Sequence, residues 1–206
     1  MTGKTYARTV VCADALTWLP GYSGAIVTSP PDAEEIGATI TEWEKWFFAA
    51  VTACAKSANG APCVFYVTDR KHAGQTHSKA GAVLAAMGTP PTWHKIALRR
   101  PVGSVDIHRP GFSHLIAFNG RPGRATPDVF ERGPCLYRNA TGLNAARVAC
   151  AWVGGQASEV CDPFCGIGTI PAVANALGLD AIGVDIDPAQ CRAAELCSIS
   201  PDRMAA

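Results

Sequence analysis

No apolar run in the sequence reaches the ~18 residues needed to span a bilayer. Residues 1–9 are polar and lack the hydrophobic stretch of a signal peptide, so no membrane partner and a cytoplasmic location are expected. Internal repeats and low-complexity segments are absent, which excludes solenoid and linker-like architectures. Cysteines never stand as C-x-x-C, and there are only five histidines. That pattern offers no zinc-type ligand set, so no metal is expected. The nine cysteines, an odd number, mostly sit beside apolar residues, as in Val10-Val11-Cys12 and Pro62-Cys63-Val64. They read as buried free thiols of a reducing compartment. What remains is a chain of 206 residues, 48% hydrophobic and 17% charged. It is long enough for one domain, residues 1–206, with a core of its own.

The net charge of +1 is unevenly spread. Nine basic residues (Lys95, Arg99, Arg100, Arg109, Arg121, Arg124, Arg132, Arg138 and Arg147) stand between 95 and 147, against three acidic ones (Asp106, Asp128 and Glu131). From Val148 onward two basic residues face seven acidic ones. A basic middle, 95–147, favours an anionic partner such as nucleic acid. The alternative for the same charges is a solvated loop face.

Short apolar runs alternate with helix-like stretches, which predicts an α/β fold with a mostly parallel sheet. The predicted strands are Thr9–Cys12, Ala25–Thr28, Ala61–Val67, Lys95–Leu98, His114–Phe118, Glu159–Cys161 and Ala181–Val184. The predicted helices are Ile40–Ser57, Ser78–Met87, Leu143–Trp152, Thr169–Leu177 and Pro188–Cys197. Residues 99–139, rich in Gly, Pro and Arg, read as a loop with one hairpin at most, inserted over a site.

The most informative stretch runs from Glu159 to Glu195. A short strand ends at Asp162. The turn Phe164-Cys165-Gly166-Ile167-Gly168 leads into a helix starting near Thr169. A second strand ends at Asp185, 17 residues after Gly168. Strand, glycine turn, helix, strand and acid form the layout of a nucleotide-type site. The glycines let the backbone approach a ligand, and the acid can accept hydrogen bonds from two ribose hydroxyls. The third glycine of G-x-G-x-x-G is missing, which argues against a dinucleotide. No Lys-Ser/Thr follows the turn, which excludes a P-loop.

Asp-Pro-Phe-Cys-Gly-Ile-Gly-Thr (162–169), followed by Ile-Gly-Val-Asp-Ile-Asp-Pro (182–188), resembles the cofactor motifs of class I S-adenosylmethionine-dependent methyltransferases, in particular the amino-methyltransferases. The resemblance implies S-adenosyl-L-methionine as cofactor and a Rossmann-like, doubly wound sheet. It places Asp162, Pro163, Phe164, Cys165, Gly166, Gly168 and Thr169 around the methionine moiety, and Asp185 with Ile186 at the ribose. A second match lies upstream, in Val10 to Asp32. It resembles the opening of the β-type DNA amino-methyltransferases (cytosine-N4 and adenine-N6). By that resemblance Asp14, with Ala15, lies near the adenine of the cofactor, Thr28 ends a strand at the cofactor, and Ser29-Pro30-Pro31 forms the catalytic loop. The catalytic motif precedes the cofactor motif, as in a circularly permuted arrangement. The resemblance covers both ends, roughly 70 residues, and is faint between them.

The chemistry suits these residue types. The lone pair of an exocyclic amine on a base is delocalised into the ring. Oxygens that accept its protons, from Ser29 and the next carbonyl, turn that lone pair outward and stabilise developing positive charge. Prolines hold the acceptors rigid. Transfer then depends on positioning. One departure stands out: Asp32 occupies the place of the aromatic that stacks on a flipped base in the family. It is a candidate to pair with a cationic substrate, to accept a proton weakly, or to face solvent. Trp18, Trp43, Trp46 or Trp93 would then supply stacking, although Trp43 and Trp46, three apart on a helix, read as core. Asp69, His72, His77, His108 and His114 are lesser candidates. Three readings follow: methylation of an amino group on a nucleic-acid base, methylation of a small-molecule amine, or a cofactor-binding subunit without catalysis. A homodimer is compatible with each.

Overall fold

The computed structural model describes residues 6–123 and 126–199. Arg124 of the basic stretch lies outside the described residues, as does the start of the polar N-terminal segment. Strand β1 (Arg8–Cys12) passes to a short helix α1 (Ala15–Trp18) and then to β2 (Ile26–Thr28). Helix α2 (Ile40–Ala58), β3 (Cys63–Val67), a small hairpin of β4 (Arg70–His72) and β5 (Gln75–His77), and α3 (Lys79–Met87) follow. Next come β6 (Trp93–Leu98), β7 (Phe112–Phe118), β8 (Val129–Glu131) and α4 (Leu143–Gly154). The chain closes with β9 (Glu159–Asp162), α5 (Thr169–Ala176), β10 (Asp180–Asp185) and α6 (Pro188–Leu196).

Local chemistry explains the longer elements. Helix α2 starts at a reciprocal box, in which Thr39 accepts from the Glu42 N–H while the Glu42 carboxylate accepts from the Thr39 N–H. It ends where Asn59 takes a left-handed conformation. Asp187 caps α6, with Pro188 behind it, where a missing N–H does no harm. Strand β3, Cys-Val-Phe-Tyr-Val, is buried along its whole length, as expected of a strand covered on both faces.

Eight strands form one sheet in the order β1-β10-β9-β2-β3-β7-β6-β8. The run from β1 to β3 is parallel, β7 is antiparallel to both neighbours, and β6 and β8 are parallel. One face packs against α4 and α5, through Val27, Val64 and Val160 with Leu143, Ala146 and Val173. The opposite face packs against α2 and α3, through Ile26, Phe65 and Phe118 with Trp43, Phe47 and Val83. Burying side chains as large as Trp43 and Phe47 stabilises the fold by about 2–3 kcal/mol each. The doubly wound, mostly parallel sheet agrees with the sequence expectation.

Every predicted strand and helix is present, with ends displaced by at most two residues. Residues 99–139 differ from the expected loop. They supply β7, which lies inside the sheet between β3 and β6, and the edge strand β8. The predicted strand His114–Phe118 is the inner part of β7, and Phe112 and Ser113 extend it against β6.

Candidate active site

Strand β9 leads through α5 to β10 on one side of the sheet centre, and β2 leads through α2 to β3 on the other. The strand order reverses between β9 and β2, so the carboxyl ends of these two strands splay apart and open a crevice. A cleft of about 930 Å³ lies there. Asp14, Ala15, Ser29, Pro30, Pro31 and Asp32 line it from the first part of the chain. Asp162, Pro163, Phe164, Cys165, Gly166 and Thr169 line it from the segment after β9, and Asp185 and Ile186 from the end of β10. Two motifs more than 130 residues apart in sequence thus meet, because β2 and β9 are neighbours in the sheet.

Asp162 ends β9 and is 3% exposed. Its Oδ1 accepts the Thr28 hydroxyl at 2.7 Å and the Phe164 N–H at 3.1 Å. Burial pushes its carboxyl up to about 7, against the two hydrogen bonds, with Asp185 adding to the rise. At the end of β10, Asp185 accepts the Gly166 N–H on Oδ2 and the Asp187 N–H on Oδ1, each at 2.9 Å. These bonds tie the glycine turn to the neighbouring strand and leave lone pairs on both oxygens. Gly166 has φ 53°, and a Cβ there would come within 2.6 Å of the Tyr137 hydroxyl. Asp14 caps α1 by accepting the Leu16 N–H at 2.9 Å.

Two expected cofactor contacts stand behind the cleft wall. Thr28 is fully buried and spends its hydroxyl on Asp162. Gly168 starts α5 at φ 86° with its Cα against α6, where a Cβ would lie 2.9 Å from the Ala194 Cα. Its role in this structure is close helix packing.

Ser29 follows β2 directly. The Pro31 carbonyl accepts the Trp43 indole N–H at 3.0 Å, which anchors the proline turn to α2. Asp32 neither faces solvent nor stands free for a cationic ligand. It is 8% exposed and ion-paired with Lys79, and with Arg109 at 2.7 Å. Burial opposes its ionisation, but Lys79 and Arg109 outweigh that and hold its carboxyl below the usual value. The Lys79 ammonium in turn lies 5.3 Å from the Trp43 ring centroid. The charge at this position is therefore a buried brace between the proline turn, α3 and the 99–111 loop.

Trp43 is core, as its spacing suggested, while Trp46 reaches the cleft and meets the Phe164 ring edge-on at 5.6 Å. Trp18 stacks on Tyr22, and Trp93 packs against Trp152, both away from the cleft. Asp69 caps the start of α3 through the Ala80 N–H instead of lining the cleft. His77 bonds Glu44, and His114 bonds His94. Lys95, counted in the basic stretch, is buried and holds the 126–128 loop through two carbonyls and Asp128. Tyr137, Gln190, Arg99 and Arg132 line the cleft without having been singled out one by one. Tyr137 was findable in principle, as the aromatic in the polar run just before the helix that precedes Asp162. No cluster of His, Cys, Asp and Glu able to hold a metal occurs among the described residues. No helix among them is long and apolar enough to cross a membrane.

Residues 157–196 match the profile of a DNA methylase family that joins N6 and N4 enzymes. That match covers the glycine turn, α5, β10 and α6, so the cofactor half of this chain is similar to a DNA methylase. Solved structures with the same fold include the cytosine-N4-specific PvuII DNA methyltransferase, 14% identical, with 98% of this chain and 93% of that one covered at a TM-score of 0.74. A putative DNA modification methylase from Thermus thermophilus, in complex with S-adenosyl-L-methionine, is 17% identical over 92% of this chain and 93% of its own, with a TM-score of 0.67. The M1.HpyAVI complex with the same cofactor is 14% identical over 96% and 98%, with a TM-score of 0.62. No curated protein sequence matches this chain. At such identities the solved structures establish the fold, and the matched stretch 157–196 contains Asp162, Gly166 and Asp185 of the cleft.

Proposed function

We propose that this chain is an S-adenosylmethionine-dependent N-methyltransferase acting on an exocyclic amino group of a base in DNA. The observation that carries this reading is the meeting, in one cleft, of Ser29-Pro30-Pro31 at the end of β2 with Asp162 and Asp185 at the ends of β9 and β10. The residues fit the cofactor. The positive φ of Gly166 opens the turn, Asp185 keeps lone pairs for ribose hydroxyls, and the buried Asp162 carboxyl is one that a cationic ligand would ionise. When bound, S-adenosylmethionine supplies a methyl group on a sulfonium, already activated for displacement. Ser29 and the Pro30 carbonyl accept the protons of the target amine and turn its lone pair toward the donor. The fixed φ of two prolines and the Trp43 anchor hold these acceptors in place. Phe164 and Trp46 form an apolar wall that excludes water.

Small-molecule amine methylation loses its main support, because Asp32 is consumed by Lys79 and Arg109. A circularly permuted order goes with the parallel pairing of β1 with β10 and with the Ser29 motif preceding the cofactor motif. Nine free cysteines favour the cytoplasm. The deciding experiment offers labelled S-adenosylmethionine with DNA, RNA and a metabolite extract in parallel, using Ser29→Ala as control. Label in DNA that vanishes in the variant supports the reading. Label only in small molecules overturns it, and a function unaffected by Ser29→Ala points to the non-catalytic subunit.

A further inference from the structure

Beyond β3 the cleft changes character. β6 and β8 run parallel to each other, and β7 reverses twice between β3 and β6, so the ends of β3, β6 and β8 share the edge that bears Ser29. Arg99 follows β6 directly, Arg132 follows β8 directly, and Tyr66 is the penultimate residue of β3. All three line the cleft. They stand on the far side of β2 from the cofactor acids, which end β9 and β10.

This corner holds donors without acceptors. Tyr66 is 6% exposed, and its hydroxyl has no hydrogen-bond partner. The Arg99 guanidinium is half-buried, and its buried Nη1 is likewise unpartnered. Among the described residues no carboxylate pairs with Arg99 or Arg132. The nearby acids are committed elsewhere, Asp106 to Arg100 and Asp32 to Lys79 and Arg109. Besides Tyr66, the groups facing Arg99 are Arg132, Arg109 and Arg100, and of these three Arg132 has no carboxylate partner among the described residues. A half-buried guanidinium beside an unpaired Arg132 and an orphaned hydroxyl is unfavourable until an anion arrives. Arginine presents a planar fork that suits phosphate oxygens, and tyrosine adds a third donor.

We infer that Arg99, Arg132 and Tyr66 form a phosphate subsite on the acceptor side of Ser29, which seats the phosphoryl group of the nucleotide whose base is methylated. The inference rests on the methyl-transfer reading for the identity of the base, but the subsite itself is tested by binding. Ser29 stands between this subsite and the cofactor acids, so a nucleotide anchored by its phosphate would present its base at the proline turn.

The test uses the full chain and three variants, Arg99→Gln, Arg132→Gln and Tyr66→Phe. The last removes only an unpartnered hydroxyl and should keep the unfolding midpoint. Calorimetry with S-adenosylhomocysteine present compares a nucleoside, its monophosphate and inorganic phosphate. The monophosphate should bind about tenfold or more tightly than the nucleoside, and each variant should erase most of that advantage. Equal binding of nucleoside and monophosphate overturns the subsite, and so does a weakened cofactor in the variants with acceptor binding unchanged. Methyl transfer to an oligonucleotide and to the free monophosphate then separates the two sources of phosphate. In both arms the variants should raise the acceptor KM. If the wild type transfers no methyl group to any acceptor, the functional reading fails, while the binding result still decides the subsite.

Discussion

Asp162→Asn should stabilise the protein without ligand and abolish its use of the cofactor. The Asp162 carboxyl is buried at the end of β9 and titrates at about 7, against 3.8 for an unperturbed aspartate. Between those values the folded state holds a proton that the unfolded state releases, so stability falls as pH rises. The contribution is complete below 3.8 and is lost once pH passes about 7. Three units at about 1.4 kcal/mol each set an upper bound of roughly 4 kcal/mol. Asparagine keeps an acceptor oxygen for the Thr28 hydroxyl and the Phe164 N–H, which lie at 2.7 and 3.1 Å, and it has no charge to desolvate. Thermal unfolding of the ligand-free protein at pH 8 should therefore shift upward, by about 6–12 °C for ~3 kcal/mol in a chain of this size. The gain should shrink steadily as pH falls toward 4. Cofactor binding, measured on the same samples, should be lost. An Asp162→Asn protein that is less stable at pH 8 than the parent, or a shift that does not vary with pH, would refute the reasoning. The carboxylate would then be favourably solvated where it sits.

Three further outcomes follow from the same geometry. Ser29→Ala should lower kcat by about 10²–10³-fold while leaving the cofactor Kd near its parent value, because in the proposed mechanism the hydroxyl acts on the acceptor amine; single-turnover methyl transfer and calorimetry read the two separately. Gly168→Ala should cost about 2–3 kcal/mol in urea unfolding, since φ 86° is strained for alanine and its Cβ would meet the Ala194 Cα at 2.9 Å. Asp32→Ala should cost about 3–5 kcal/mol by leaving the Lys79 ammonium buried without a carboxylate; adding Lys79→Met should restore most of the loss, and no recovery in the double variant would show that the pair is not the cause.

Much of the sheet was legible because its strands are short apolar runs separated by turn residues. The Asp162–Asp185 stretch was legible because its chemistry is local: strand, turn, helix and acid follow one another in sequence. Residues that act through long-range packing were not. Lys79 opens an ordinary helix, and nothing near it in sequence announces that Asp32, far upstream, lies against it. For Asp32 the sequence leaves a cationic substrate, weak proton acceptance and solvent all open, because only the fold brings Arg109 and Lys79 onto it. Within residues 99–139 the apolar run His114–Phe118 was legible as a strand, but its place inside the sheet, between β3 and β6, depends on pairing that the local sequence does not show. The edge strand β8 is three residues long, too short to show a period. Thr28 is placed at the cofactor by the family resemblance alone; its hydrogen bond to Asp162 depends on β2 and β9 being neighbours, which the local sequence does not show.

The cleft is electrically divided, and the division constrains the reaction. Acids end β9 and β10, arginines end β6 and β8, and the proline turn lies between them. Methyl transfer to an amine moves positive charge from the cofactor side toward the acceptor side, into a corner that is already cationic. Asp32 cancels part of that charge by pairing with Lys79 and Arg109, but Arg99 and Arg132 keep theirs. A neutral amine without a phosphate would therefore meet an unfavourable field as its charge developed. An acceptor that brings its own phosphate neutralises the corner before the methyl group moves, and the same contact fixes where its base can lie. On this argument the brace at Asp32 and the open arginines have complementary tasks. The brace holds the proline turn still whether or not substrate is present, and the open arginines tie catalysis to the arrival of an anionic acceptor. The aromatic expected after Pro31 would do neither, so its replacement by an acid is consistent with an enzyme that places its base through the phosphate.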